Sequence, residues 1–517
     1  MPEYLHPGVN VEEIEPHPIE GVATGTAAFL GETERGPTQP ELVDTYPQYQ
    51  RLFGGPFDPS KFMPQAVAGF FDNGGQRVYV CRIVGNNATA ASHDFVDLHV
   101  EASGPGDWGK RVFVQIANST TKRPDSADSP KTVGIRVMVA YWSWLPQNFV
   151  PFNPVLDNAT LPRPAWAEDF DDIVLDDGNS PGYYDKCVNG SSTLITLKLT
   201  TAPSARPNVP RASSMLDQGG VAGDPPQFGN YQGGDPVPSN RTGLAALLLD
   251  AYRDVALVYA PGQVAKDIRQ ALITHCEDQK FRFAVLDCAP DKRNISDADL
   301  DPRTSIKDTS YAAYYYPWIY ISDPKTGARK KIPPGGPVLG IFARSDTERG
   351  VFKAPANETV RGALDLEFSI NEGTQNELIP KGVNVIRSFP GRGILLWGAR
   401  TLSSNTLWKY VSVRRLLIFL ERSIYEGTQW VLFEPNDERL WARVKDTIRL
   451  FLHTQWLLGA MTGTTVDEAF FVTCDRTTMT QDDILNGRLV CEIGIAPVLP
   501  AEFVIFRIFQ RTAEAQS

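Results

Sequence analysis

The sequence predicts a multi-domain α/β protein (α+β overall). Its layered α/β core is interrupted by an inserted all-β sandwich and followed by a C-terminal domain of helices and a small sheet. Three observations predict this. Apolar strands alternate with helices on both sides of a long gap: RVYVCRIV at 77–84, then VALVYAP at 255–261 and RFAVLDCAP at 282–290, with the amphipathic QVAKDIRQALITHCEDQ between the last two. Continuous apolar strands between helices indicate a sheet covered on both faces. Within the gap, RVFVQI, GIRVMVAY and STLITLKLT are separated by Pro, Asn, Ser and Asp, an all-β signature. Beyond residue 380, two helical runs precede three short strand-like runs.

At 517 residues the chain exceeds one ordinary core, and domains of ~150 residues are the prior. A hydrophobic content of 42% with ten Trp and 26 Phe supports packed domains over disorder. The net charge of −11 argues against nucleic-acid binding. That charge is uneven: residues 381–517 hold 16 Lys+Arg against 14 Asp+Glu, so the mildly basic end follows an acidic body. No apolar run approaches the ~20 residues of a membrane span. The N-terminus has neither the basic start nor the apolar core of a secretory signal, so assembly in the cytoplasm is expected. Six cysteines lack CxxC spacing, which predicts reduced, buried thiols and no ribbon-type zinc site.

Taken in order, residues 1–20 read as an arm. Val9, Val11 and Ile14 make a short extended segment fenced by Pro7, Pro16 and Pro18, too small to fold alone. It is either disordered or adds a strand to another sheet. Residues 21–93 and 240–380 form the two parts of a discontinuous α/β domain, with the β-sandwich at 94–201 inserted. GPGDWG at 104–109 matches GxGxxG formally, but a strand follows it, so the helix N-terminal amides of a phosphate cradle are missing. Residues 202–239, rich in Pro, Gly, Ser and Asp, read as a linker, and they lack GxxxxGK[ST].

The C-terminal domain is placed at 381–500. Its first helix puts Val413, Leu416, Leu417, Leu420 and Ile424 on one face and ends at Gly427. A second runs from Asp437 to Leu458, with Asn436 as the N-cap. Trp441, Val444, Ile448, Phe451 and Leu452 make its apolar arc, and Arg439, Arg443, Asp446, Arg449 and His453 the opposite one. Strand-like runs follow at 469–474, 488–496 and 503–509, the last within a C-terminal arm at 501–517.

The words GVNVIRSFPGRGILLWGARTL, YVSVRRLLIFLERSI, QWVLFEPNDERLW and GIAPVLPAEFVIFRI stand in one order and spacing. So do PGVNVEEI, GETERGP, YQRLFGG and FFDNGGQRVYVCRI near the start, and SYAAYYYPWIYISDP with KKIPPGGPVLGIFARSDTERGVFKAPANE in the middle. In these words the chain resembles the contractile tail sheath proteins of phage tails and related bacterial injection systems. The resemblance implies that the α/β domain is subtilisin-like. It also implies that subunits stack as rings around an inner tube and contract. Both ends would then be strand-exchange arms, carried by Val9, Val11 and Ile14 and by Phe503, Ile505 and Phe509. Leu489, Cys491 and Ile493 would form the host strand, and Arg439, Arg443 and Arg449 would face the tube. The implied partners are further copies of the chain, an inner tube protein, and baseplate and terminator proteins, with no nucleic acid and no membrane insertion.

A subtilisin-like domain invites a test for chemistry. Asp287 ends an apolar strand where a triad Asp could stand. No histidine follows it until His453, and no GTSM-like segment exists, so Asp287 reads as a strand-end residue and no catalytic residue is expected. The acidic run Asp169, Asp171, Asp172, Asp176 and Asp177 lacks a calcium-loop layout, and no metal or cofactor is expected. Two other readings stay open: a non-contractile tube or capsid protein, and an inactive protease-like binding module. Filament formation discriminates them.

Overall fold

The computed structural model describes residues 18–502 except 96, 124–130, 133, 158, 201–211 and 325. The described chain divides into two units, residues 24–348 with 355–411, and residues 18–23 with 349–354 and 412–502.

In the larger unit, β1 (Ala27–Gly31), β2 (Glu41–Val43), α1 (Tyr46–Phe53), α2 (Met63–Asp72) and β3 (Val78–Arg82) come first. Besides a short Lys122–Arg123/Lys131–Thr132 ladder, eight strands follow: β4 (Thr89–Phe95), β5 (Leu98–Ala102), β6 (Val112–Asn118), β7 (Ile135–Tyr141), β8 (Trp166–Ile173), β9 (Ile195–Leu199), β10 (Ala212–Met215) and β11 (Gln218–Val221). The α/β pattern then resumes with β12 (Leu257–Tyr259), α3 (Lys266–Gln279), β13 (Phe283–Asp287), β14 (Ala312–Tyr316), α4 (Gly335–Arg349), β15 (Glu358–Thr359), β16 (Val383–Phe389) and β17 (Gly393–Leu396).

One nine-stranded sheet has the order β15-β17-β16-β14-β13-β12-β1-β3-β2. The run from β3 to β16 is parallel, and β2, β17 and β15 add antiparallel edges. Every residue of β1, β3, β12, β13 and β14 is buried, as continuous apolar strands under two helical layers must be. Helix α4 crosses α2 at close range. A Cβ on Gly336 would meet Ala66 O at 2.4 Å, and one on Gly340 would meet Phe70 O at 2.3 Å. The mixed multi-domain α/β class thus holds, but the C-terminal domain does not begin at 381. Residues 383–396 are strands of this sheet, with Tyr314 opposite Val383 and Asn384 Nδ2 bonded to Arg400 O at 2.7 Å.

The insertion is a sandwich of two four-stranded sheets, β8-β7-β6-β10 and β9-β5-β4-β11, closed over Trp108, Val114, Val137, Ile195 and Leu197. It runs past the expected limit of 201. Ala212 pairs with Ile116 and Gln218 with Ser92, so part of the expected linker supplies an edge strand to each sheet. Arg82, at the end of β3, ties the sandwich to the α/β layer. Its guanidinium donates to Gly36 O and to Pro105 O, both at 2.7 Å. Trp108 Nε1 donates to the same Pro105 carbonyl at 3.0 Å, so the glycine-rich 104–109 segment is a structural turn. Tyr141 adds a second tie, donating to Glu34 at 2.6 Å beneath the Arg35 guanidinium, 5.0 Å from the ring.

Asp287 stands at the carboxyl end of β13, fully enclosed. It accepts from Tyr259 Oη at 2.6 Å, Gly262 N at 3.2 Å and Gly335 N, the first residue of α4, at 3.0 Å. Burial outweighs these three donors and pushes its pKa up to about 6. The reading of Asp287 as a strand-end residue therefore has a structural basis.

In the smaller unit are α5 (Val411–Gly427, its first residue at the boundary), α6 (Glu438–Leu457), β18 (Phe470–Thr473) and β19 (Glu492–Ile495). Their core joins Leu416 and Leu420 to Leu440, Trp441, Val444, Ile448, Phe451 and Leu452, and to Phe470 and Val472. The expected apolar arc of α6 is buried in full. Asp437, not Asn436, is the cap: its carboxylate accepts from Arg439 N at 3.0 Å and Leu440 N at 2.9 Å. Asn436 is diverted to the Trp441 indole, 2.7 Å away.

Two predictions follow from this architecture. The ends of the insertion meet, with Asp224 N donating to Asn86 O at 2.9 Å and Asn87 Nδ2 to Asp224 Oδ2 at 3.0 Å. Replacing residues 88–222 by a short Gly/Ser linker is expected to leave a soluble body that unfolds cooperatively by circular dichroism. Aggregation of that variant would make the sandwich part of the core. The second prediction concerns pH. Because the folded pKa of Asp287 lies above its unfolded value of 3.8, the folded state keeps a proton that the unfolded chain releases. Its contribution to stability is present below the unfolded pKa and is lost as pH rises through about 6, by roughly 3 kcal/mol. The stability difference between wild type and Asp287→Asn, measured by urea unfolding, should shrink across that window and level off above it. A difference independent of pH would contradict this.

Candidate interaction surface

The described residues singled out for contact, Arg439, Arg443, Arg449, Leu489, Cys491 and Ile493, all belong to the smaller unit. They are cations, apolar side chains and strand edges. Helix α6 is amphipathic, so burying its Trp441–Leu452 arc commits the opposite stripe to solvent. Arg439, Arg443 and Arg449 all lie exposed on that stripe. Arg443 is engaged locally: its guanidinium sits 5.1 Å from the Trp430 ring and 3.5 Å from Glu434. Among the described residues Arg439 and Arg449 form no ion pair.

Sequence reasoning missed the apolar part of this surface. Leu450, Leu457 and Leu458 are 61%, 68% and 62% exposed at the C-terminal end of the same helix. In the loop before α6, Leu432 is exposed and Phe433 is wholly so, at 105%, with a φ of 69°. A bulky residue in the left-handed region is strained, and strain of this kind collects where a segment has work to do. The signal was available in VLF set directly before Glu434–Pro435, an apolar triplet in a turn.

The first described residues also pack on this unit. Ile19 packs on Gly427, and Val22 N donates to Ser423 Oγ at 3.1 Å, so residues 19–22 run along α5. Val9, Val11, Ile14, Phe503, Ile505 and Phe509 lie outside the described residues. The expected host strand is only partly a strand. Ile493 pairs with Val472 in the β18–β19 ladder, but the ladder begins at Glu492, leaving Leu489 and Cys491 before it. The preceding segment is turned by the helix Gln481–Leu485 and by Thr478 Oγ1, which donates to Val490 O at 2.8 Å. Both residues still pack on the same core as Ile493. Among the described residues β19 has β18 on one side and no strand on the other, so its second edge is open.

The remaining candidates resolve into local structure. Of the acidic run, Asp169 pairs with Arg136 (Nε–Oδ1 2.8 Å), and Asp172 accepts from Thr121 at 2.8 Å. No group of three metal-ligating side chains exists among the described residues. No helix among them is long and apolar enough to cross a membrane. The partners of Asp287 are a tyrosine and two backbone amides, a hydrogen-bonded lock with no nucleophile–base pair in it.

Residues 240–402 match the phage tail sheath protein central domain, and residues 403–511 the phage tail sheath C-terminal domain. A putative prophage major tail sheath protein of Pseudomonas aeruginosa is 26% identical over 283 residues, 53% of this chain and 71% of that protein. The tail sheath protein of Vibrio phage KVP40 is 24% identical over 211 residues, 40% of this chain and only 31% of the phage protein. In fold, the chain is similar to the PVC sheath of an extracellular contractile injection system in its contracted state. There the TM-score is 0.59, with 22% identity over 99% of this chain and 100% of that one. It is also similar to a sheath tail protein from Listeria innocua, with a TM-score of 0.58 and 11% identity over 93% and 96% of the two chains. The two sheath domains match in tandem from residue 240 to 511, more than half of the sequence. The chain belongs to the contractile tail sheath protein family.

Proposed function

We propose that this chain is the structural subunit of a contractile sheath. It polymerises with copies of itself as stacked rings around an inner tube, and it contracts to drive that tube through a target envelope. The observation that carries this is the concentration of contact features in the smaller unit: the exposed Arg–Leu stripe of α6, the open edge of β19 and the path of residues 19–22 along α5. The α/β body serves as a subtilisin-like scaffold emptied of chemistry, with Asp287 used as a lock. Assembly takes place in the cytoplasm of the producing bacterium, and baseplate and terminator proteins bound the two ends of the polymer.

In this reading the arms hold the lattice together. Val9, Val11 and Ile14 from one copy, and Phe503, Ile505 and Phe509 from another, add strands beside β19, using main-chain hydrogen bonds that survive rotation of the bodies. The α6 stripe faces the tube. Exposed ion pairs contribute only ~0.2–1 kcal/mol each. Arg439 and Arg449, repeated over many copies and backed by Leu450, Leu457 and Leu458, therefore give a grip that is strong in sum and breakable in part.

Two experiments test this. Deleting residues 1–15 should leave folded subunits that form no tubes under electron microscopy; normal tubes would remove the arm from the mechanism. Reversing charge with Arg439→Glu and Arg449→Glu together should weaken assembly on the inner tube, more so as salt is lowered, while tube-free polysheaths still form. Equal assembly on the tube at low and high salt would exclude α6 as the tube-facing surface.

A further inference from the structure

Cys474 and Cys491 face each other across the β18–β19 ladder. Thr473 pairs with Glu492, so the next step of the register sets Cys474 opposite Cys491. Ala496 N donates to Ala469 O at 2.8 Å, which makes that pair a hydrogen-bonded one. Pair types alternate along an antiparallel ladder, and five steps on, Cys474 and Cys491 form a non-hydrogen-bonded pair. Such pairs have Cα atoms about 4.5 Å apart, inside the ~4.4–6.8 Å that a disulfide bridges. Both side chains pack against one apolar cluster, and both are thiols in this structure. Facing each other across that pair, the two thiols perturb one another, which lowers the pKa of Cys474 and raises that of Cys491. Cys474 is 3% exposed, whereas Cys491 is half-buried and open to a small reagent.

We propose that Cys474 and Cys491 are a covalent modification site, which a small-molecule disulfide such as oxidised glutathione converts to an intramolecular cross-strand cystine. The Cys491 sulfur, deprotonated, attacks one sulfur of the small disulfide. That S–S bond breaks, and the first small thiol leaves with the proton. The Cys474 thiolate then attacks the Cys491 sulfur of the mixed disulfide, forms the Cys474–Cys491 bond and expels the second small thiol. Two protein thiols are oxidised and one small disulfide is reduced to two thiols. Cys491 reacts first because it is the accessible one of the two, and Cys474, directly opposite in the ladder, resolves the mixed disulfide without movement of the strands. The cystine closes the 475–490 segment, including the Gln481–Leu485 helix, and fixes β19 against β18. Its effect on strand exchange rests on the sheath reading above, whereas the oxidation itself does not.

The test uses the reduced full-length chain incubated with excess oxidised glutathione, acid-quenched, denatured and alkylated with N-ethylmaleimide before mass spectrometry and peptide mapping. Expected are the loss of two alkylatable thiols, one linked peptide pair joining Cys474 to Cys491, and an upward shift in thermal midpoint that dithiothreitol reverses. Cys474→Ser should retain glutathione on Cys491, and Cys491→Ser should leave Cys474 a free thiol. If the serine at the buried position prevents folding, Cys474→Ala replaces it. Persistence of both thiols in the wild type, retention of glutathione on wild-type Cys491, or linkage of either cysteine to another residue would overturn the proposal. Tube formation is not read in this experiment, so failure of the sheath reading and failure of the cystine are separate results.

Discussion

A single enclosed carboxylate closes the working end of the parallel sheet. Open α/β sheets bind ligands in the crevice outside the carboxyl ends of their strands, where the strand order changes direction and helix N-termini point inward. Here that region is occupied by the chain itself. Asp287 takes the hydroxyl of Tyr259 and the amides of Gly262 and Gly335, joining β12, β13 and the first turn of α4 through one side chain. Arg269 braces the same strand end, donating to the Asp287 carbonyl at 2.7 Å and to Asp299 at 2.9 Å. Buried polar groups are costly unless satisfied, so a network closed in this way resists rearrangement. The layer that could have held an active site is thereby made rigid.

The same logic distributes polar groups through the rest of the larger unit. Arg82 is nearly enclosed, and burial lowers its pKa to about 10; it remains charged because two carbonyls receive it. Its partners come from both sides of the junction with the sandwich, so the glycine-rich turn at 104–109 is needed for close backbone approach and not for a phosphate. His275 shows the converse. Enclosed beside Arg282, whose guanidinium lies 2.6 Å from its Nε2, it is held neutral, its pKa lowered to about 3 by burial and then by that positive charge.

Much of this was legible in the sequence, and the failures have a common cause. Strands β3, β12 and β13 and the faces of α5 and α6 follow from short-range pattern, because burial on two sides or on one stripe dictates composition locally. Residues 383–396 were assigned to the wrong unit because no local feature says which sheet a strand joins; the pairing of Val383 with Tyr314 is long-range in sequence. Residues 212–221 were read as linker because ASSM and QGGV carry few β-branched or aromatic side chains, and long-range pairing with β6 and β4 outweighs that weak propensity. The cap was misplaced by one residue because Asn436 and Asp437 are both capable acceptors, and the Trp441 indole takes the first. On the exposed stripe of α6 the arginines were visible as charge. Phe433 and the exposed leucines of α6 were not, since exposure is settled by what packs on the opposite face.

If the proposed function holds, a subunit that must change its neighbours without changing itself needs this division. Packed interiors switch between discrete arrangements and do not deform continuously. A body locked by Asp287 and Arg82 therefore moves as a unit, and any bistability has to lie in the contacts it makes. Those contacts are best made by groups whose individual worth is small: exposed arginines, single leucines and main-chain hydrogen bonds along an open edge. Strong side-chain locks at the same places would hold one lattice too firmly to leave it. The buried network and the exposed stripe are thus complementary, the first expensive to break and enclosed, the second cheap to break and repeated in every copy.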